Sequence, residues 1–122
     1  MSTLYKCLVI DDAPLSLNVV EAAARLIDVR CTKTPSANEA VEVLRTEVFD
    51  LLILDHDIDG VKGHEVLDFL KITPSMLPVL VYSGHVSDDD RKEYARRGVM
   101  SILQKPISKH AISFAMRRIL KI

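Results

Sequence analysis

A chain of 122 residues is the size of one domain and is long enough to bury a core of its own. Its 16 Lys and Arg almost balance 17 Asp and Glu, so no overall field points to nucleic acid or a charged membrane, and any charge-driven function has to be local. The N-terminal Met1-Ser2-Thr3-Leu4-Tyr5-Lys6 lacks the apolar stretch of a signal peptide and no later run is long enough to span a bilayer, so a cytoplasmic location is expected.

Short β-branched or Leu-rich runs alternate with longer stretches of helical period, the pattern of repeated βα units around a parallel sheet. The first strand is expected at residues 5–10. A helix follows after Pro14 and directs Leu15, Val19, Ala22, Ala23, Leu26 and Ile27 toward the sheet. The second strand, 29–34, alternates in polarity and reads as an edge strand. Cys7 and Cys31 fall in these first two strands without a CxxC partner, and a reducing compartment leaves them as small core thiols. The second helix opens at a Ser36 cap, with Glu39 three residues on as a capping box, and buries Ala40, Val43 and Leu44.

Asp50 closes the turn into a third strand at 51–54, whose unbroken apolar run suits a strand covered on both faces. The third helix uses Val66, Leu67 and Leu70. A fourth strand at 79–82 precedes a helix near 87–97 with well-marked ends: Asp88-Asp89-Asp90 favour its N-terminus, Arg96-Arg97 its C-terminus and Gly98 its exit. Only Tyr94 and Ala95 give this helix apolar surface, so it is expected to pack thinly and move easily. The fifth strand, 100–104, leads to a last helix from a Ser108 cap through Ile112, Ala115, Met116, Ile119 and Leu120, with Arg117-Arg118 on a solvated face. No repeat or linker interrupts the series, so residues 1–122 are expected to form a single α/β unit: a doubly wound, five-stranded parallel sheet with five helices.

The strands share a second property. Leu8-Val9-Ile10 runs into Asp11-Asp12, Leu51-Leu52-Ile53-Leu54 into Asp55, Val79-Leu80-Val81-Tyr82 into Ser83, and Ile102-Leu103 into Gln104-Lys105. In a parallel sheet these groups gather at the carboxyl edge, where open α/β sheets bind ligands. Carboxylates suit a hard divalent cation, and Lys and Ser suit a phosphoryl group beside it.

Each residue also has a plainer use. Asp11-Asp12 could cap the first helix, Ser83 could be an ordinary strand-end hydroxyl and Lys105 a solvated charge. Asp55-His56-Asp57-Ile58-Asp59-Gly60 has the DxDxDG opening of an EF-hand loop, but Val66 occupies the twelfth position where a Glu belongs, and a strand replaces the entering helix. An apolar run ending in DxD also resembles haloacid dehalogenase-type phosphatases, in which it ends the first strand of a larger domain. His56, His64, His85 and His110 have no metal-ligand spacing, so no zinc site is expected.

Taken together, Asp11-Asp12, Asp50 and Asp55 with Gly63 downstream, Ser83-Gly84, and Lys105-Pro106 resemble the receiver domain of two-component response regulators, over essentially the whole chain. The resemblance implies a flavodoxin-like strand order of 2-1-3-4-5 and Asp55 as acceptor of a phosphoryl group from a phosphohistidine, on a sensor histidine kinase or a histidine phosphotransfer protein. It implies Mg2+, or Mn2+ in its place, held by Asp12, by Asp11 through water, by Asp55 and by the Asp57 carbonyl. Lys105, Ser83 and the Gly84 amide would meet the phosphoryl oxygens. It implies self-phosphorylation and autodephosphorylation without an independent metabolic activity, and an output protein bound on the face of helix four, strand five and helix five, with no direct nucleic acid or membrane contact.

Departures from the family pattern carry their own expectations. Asp59 stands where a proline is usual, so the acidic loop should take another path. Asp57 and His85 occupy variable positions that tune acyl phosphate hydrolysis, and Ile102 replaces a frequent aromatic switch residue, so a ring flip there cannot be the output signal. Clustered charges at Asp11, Asp12, Asp55, Asp57 and Asp59 should repel and raise some carboxylate pKa values. The sequence stops just after the last helix, as expected of a stand-alone receiver or of one excised from a longer regulator. The alternative function is a degenerate receiver that binds proteins independently of phosphorylation; an independent phosphatase is a third class, marked by sustained turnover of external phosphate esters.

Overall fold

The computed structural model describes residues 4–99 and 101–122, so Met100, expected to open the fifth strand, and the first three residues lie outside it. In chain order the elements are β1 (Lys6–Ile10), α1 (Pro14–Leu26), β2 (Arg30–Thr34), α2 (Ala37–Thr46), β3 (Leu51–Leu54), β4 (Asp57–Ile58), β5 (Val61–Lys62), α3 (Gly63–Leu70), β6 (Val79–Ser83), α4 (Asp88–Arg96), β7 (Ser101–Gln104) and α5 (Lys109–Leu120). The main sheet has the order β2-β1-β3-β6-β7, with every pairing parallel. Counted by the main-sheet strands alone, this is the expected 2-1-3-4-5, and β2 is the edge strand that its alternating sequence announced.

The period-2 alternation of the strands sorts the core into two layers. Cys7, Val9, Leu51, Ile53, Leu80 and Tyr82 face one way, against Val20, Ala23 and Ala24 of α1 and Ile112 and Met116 of α5. Leu8, Ile10, Leu52, Leu54, Val79 and Val81 face the other way, against Ala40 of α2, Val66 and Leu67 of α3 and Tyr94 of α4. Each fully buried Leu or Ile contributes about 1.5–3 kcal/mol, which makes these layers the main stabilising term. Asp50 locks the edge of this core: its carboxylate accepts from the Lys6 amide at 2.9 Å, and its own amide donates to the Lys6 carbonyl at 2.8 Å. Cys7 and Cys31 are free thiols in register on β1 and β2, the first buried and the second half-buried.

Two expectations change. On α1 the buried stripe is Val20, Ala23 and Ala24, while Leu15 is 80% and Leu26 46% exposed. Of the expected stripe, Ala23 is buried and Val19 and Ile27 pack half-buried against the same layer, while its centre lies one residue, about 100° of helix rotation, further on, because several neighbouring rows of α1 are apolar. Small residues win because α5 approaches closely there; the Ser113 hydroxyl donates to the Ala23 carbonyl at 2.6 Å. On α4 the expected thin apolar packing holds, with Asp90 and Tyr94 as its buried residues, but polar contacts tie the helix down. Its Tyr94 is fully buried, its Asp90 carboxylate is buried among partners, and Arg97 at its C-cap grips Asp68 of α3 through Nε at 2.9 Å and Nη2 at 2.8 Å. Polar contacts replace the apolar ones that the sequence lacks.

Candidate functional site

Backbone pairing continues past the strand ends and fixes the side chains that follow. The Asp11 amide donates to the Thr34 carbonyl at 3.1 Å, the Asp55 amide to Ile10 at 3.0 Å and the Lys105 amide to Ser83 at 2.8 Å. Asp11, Asp55, Ser83 and Lys105 therefore meet at the carboxyl edge, although they are up to 94 positions apart in sequence. Ser36 and Ser108 cap α2 and α5 through their hydroxyls, as expected, and Ser87 does the same for α4.

Asp11 and Asp55 are buried, while Asp12 is exposed at the rim. These three offer one carboxylate oxygen each within 4.8 Å of one another. The Lys105 ammonium lies 3.2 Å from Asp11 Oδ2 and 3.6 Å from Asp55 Oδ2, and sits over the Tyr82 ring at 5.0 Å. Asp11 Oδ1 accepts from the Ala13 amide at 2.9 Å, so this residue serves the entry to α1 as well. Asp55 Oδ1 is buried without any hydrogen-bond partner. An ionised oxygen left bare in a buried site is costly, and a hard cation or a new covalent bond would satisfy it. The donor set thus fits Mg2+: oxygens only, from three carboxylates, one of them unsatisfied. Burial pushes the Asp11 carboxyl above its ordinary value, with Asp55 adding to the rise and the Ala13 amide and Lys105 opposing it. Repulsion among carboxylates was the expected cause; here desolvation leads.

The acidic loop does take its own path. Residues 57–62 form an antiparallel hairpin in which Asp57 pairs with Lys62 and Ile58 with Val61. Its two central residues, Asp59 and Gly60, have φ of +53° and +79°, as the tight type I′ turn requires. Proline cannot adopt a positive φ, so Asp59 is a requirement of this turn and not a neutral replacement. The Asp59 amide donates to Asp12 Oδ2 at 3.0 Å and fastens the hairpin to the rim of the site. Asp-Gly between Ile58 and Val61 was a hairpin signal in the sequence, hidden by the EF-hand pattern that shares the same letters. The Asp57 side chain is exposed on this hairpin, and its carboxylate is not one of the three that cluster. Gly84 and His85 are also exposed, and a Cβ on Gly84 would meet no protein atom within 4 Å, so the fold itself does not demand glycine there. Ile102 is half-buried and packs against the layer that holds Tyr94.

Behind Asp55 lies a second polar group of residues that sequence reasoning had dismissed. His56 and His64 are buried around the Asp90 carboxylate: His56 Nε2 is 3.1 Å from Oδ2 and His64 Nε2 2.8 Å from Oδ1. Ser87 Oγ and Lys62 Nζ add contacts at 3.0 and 3.2 Å, and Tyr94 Oη lies 2.7 Å from His56 Nδ1. Bonds from His64 first, then from Ser87, Lys62 and His56, hold the Asp90 carboxyl far below the ordinary range despite its burial. The signal in the sequence was faint. Asp90 and Tyr94 are four apart on a helix otherwise too polar to pack, and His56 sits one residue beyond Asp55, on the opposite side of its strand.

A family model of the response regulator receiver domain matches residues 7–117. The heme response regulator HssR of Staphylococcus aureus strain Newman is 24% identical over 118 residues, covering 97% of this chain and 52% of that protein. The chain therefore spans about half the length of the curated relatives it matches. The solved structure of chemotaxis response regulator CheY4 of Vibrio cholerae is similar at a TM-score of 0.84 and 19% identity, covering 96% of this chain and 99% of that one. A CheY-like receiver domain protein of Methanospirillum hungatei JF-1 gives a TM-score of 0.87 at 18% identity, covering 98% and 95%. At such identities the solved structures speak for the fold alone. Among the described residues, no helix is long and apolar enough to cross a membrane.

Proposed function

This chain belongs to the response regulator receiver domain family, and from that premise we propose that residues 1–122 act as one receiver whose Asp55 takes a phosphoryl group from a phosphohistidine, in a Mg2+-dependent reaction that alters affinity for an output partner. An Asp55 carboxylate oxygen attacks phosphorus in line with the phosphohistidine N–P bond. A P–O bond forms, the N–P bond breaks, and its electron pair returns to the imidazole of the donor, which takes up a proton. A carboxylate is a weak nucleophile and the phosphoryl group is already anionic, so catalysis here is mostly charge neutralisation and positioning.

Lys105 leaves the two aspartates that it now bridges and meets a phosphoryl oxygen as a mobile point charge. Ser83 donates its hydroxyl to a second oxygen, and the Gly84 amide would complete the cradle. Asp11, Asp12 and Asp55, with the Asp57 carbonyl, would hold Mg2+, or Mn2+ in its place. When bound, the cation supplies concentrated positive charge beside the reacting oxygens. Hydrolysis of the acyl phosphate returns the domain to its starting state, with Asp57 and His85 flanking the approach of water. The donor would be a sensor histidine kinase or a histidine phosphotransfer protein, and the face of α4, β7 and α5 would carry the output in the cytoplasm.

One observation carries this reading: Asp55 Oδ1 is buried and unpartnered, while the Lys105 ammonium stands 3.6 Å from its sister oxygen. Incubation with Mg2+ and acetyl phosphate, followed by intact mass measurement, tests it. Wild type should gain one phosphoryl group and Asp55→Asn none. An adduct on both proteins would remove Asp55 from the role, and an adduct on neither would leave a phosphorylation-independent binding module as the function.

A further inference from the structure

The cluster behind Asp55 lies outside the site described above, and nothing in the chemistry of phosphoryl transfer asks for it. We propose that His56, Asp90 and Tyr94, completed by His64, form the mechanical link between the phosphoacceptor and α4, with Asp90 and Tyr94 as positioning residues that report the state of Asp55 to the helix. The inference rests on Asp55 being the phosphoacceptor.

Position is the first argument. Asp55 and His56 are consecutive at the exit of β3, so their side chains project to opposite sides. The first meets Lys105 at the carboxyl edge, and the second meets Tyr94 at 2.7 Å and Asp90 at 3.1 Å. A displacement of the Asp55 main chain cannot leave the His56 ring where it was. The Tyr94 hydroxyl also crowds the same stretch of backbone: a Cβ on Gly63 would collide both with that hydroxyl and with the Asp55 carbonyl oxygen. The Gly63 amide donates to the His56 carbonyl at 2.6 Å, which closes the loop on itself around the ring.

Proton accounting is the second argument. The Asp90 carboxylate can only accept, so both His56 Nε2 and His64 Nε2 donate to it. With neutral imidazoles, His56 Nδ1 then accepts, and the Tyr94 hydroxyl must be the donor. Every hydrogen-bonding side-chain atom of His56, Asp90 and Tyr94 is engaged in one consistent assignment, which makes the link between them directional, while His64 Nδ1 stays buried without a partner. The two imidazoles and the phenol also pack as mutual neighbours, with centroid separations of 5.3 to 5.9 Å.

Polar ties hold α4 at both of its ends. Its inward face offers little apolar area beyond Tyr94, and its C-terminal end is clamped to α3 by the two-pronged Arg97–Asp68 pair. Asp90 in the first turn is the tie at the other end. A helix pinned at one end and tied to the phosphoacceptor loop at the other will pivot when that loop moves. On β7 the half-buried Ile102 has no polar atom with which to provide a competing connection.

The test uses the whole chain with Mg2+ and beryllofluoride, which stands in for the phosphoryl group, read by amide NMR. Asp55 and Gly84 report the site; Arg91, Glu93 and Ala95 report α4. In wild type both sets should shift. In Tyr94→Phe and Asp90→Asn the site reporters should still shift, while the α4 shifts should fall by roughly two-fold or more. Val66→Ala, which loosens the same core layer and removes none of the cluster's hydrogen bonds, should keep the full α4 response, so loss of stability alone does not mimic the effect. Undiminished α4 shifts in a folded Tyr94→Phe protein would overturn the proposal, as would a wild type whose site responds and whose α4 does not. If Asp90→Asn does not fold, Tyr94→Phe carries the test, because it deletes a hydroxyl and keeps the ring. A wild type with silent site reporters would sink the phosphoacceptor reading and the link with it, an outcome recognisable from the site reporters alone.

Discussion

Lys105 shows how one side chain can serve two states. In the structure it neutralises Asp11 and Asp55 at 3.2 and 3.6 Å, and in the proposed reaction it must let them go. Lys105→Met keeps the stem over Tyr82 and deletes the charge. Asp11 then loses a charged hydrogen-bond donor and Asp55 an ion-pair partner, which should cost about 1–3 kcal/mol, measured as a lower urea midpoint with an unchanged slope. Self-phosphorylation from acetyl phosphate should slow by roughly 100-fold, in the range seen when one preorganised donor is removed from a site of developing charge. A Lys105→Met protein that labels at the wild-type rate would assign the ammonium a structural role only. Lys105 was legible from its place at the end of an apolar run, but its partners were not, because nothing local in the sequence ties it to Asp11.

At the scale of elements, the strands were read closely because buried parallel strands write continuous apolar runs. The β3 bounds match, and β1, β2 and β6 differ by a single residue at one end. Helix faces were harder. Small residues carry the α1 contact, and a polar network carries that of α4, and neither leaves the apolar stripe that pattern reading looks for. Asp90 has a consequence that pH can reveal. Its carboxyl is held far below the ordinary value, so it contributes stability that is fully present above about pH 4 and is lost as pH falls toward its native value. The melting temperature of wild type should therefore drop on going from about pH 5 to pH 3. Asp90→Asn should start lower and drop less over that interval. Parallel curves for the two proteins would show that the bonds around Asp90 do not depend on its charge.

Across the whole molecule, the topology does what no local segment can. It brings the ends of β1, β3, β6 and β7 to one edge, and with them an acidic cluster, a hydroxyl and an ammonium. The expectation that these residues converge came from the order of the strand ends along the chain. The hairpin and the cluster behind Asp55 stayed hidden because they depend on a turn type and on contacts between distant segments. A cation that binds the folded carboxylates and not the unfolded chain should raise the melting temperature, by about 1.4 kcal/mol of stability at ten times its dissociation constant. Asp12→Ala, at the exposed rim, should fold normally and lose that shift; an equal shift in both proteins would place the binding elsewhere. The most direct test of the central claim is to trap the acyl phosphate with borohydride after reaction with Mg2+ and acetyl phosphate, then to locate the reduced residue by peptide sequencing. The account predicts reduction at Asp55 alone. A reduced Asp57 or Asp59, or an unmodified peptide from a folded protein, would contradict it.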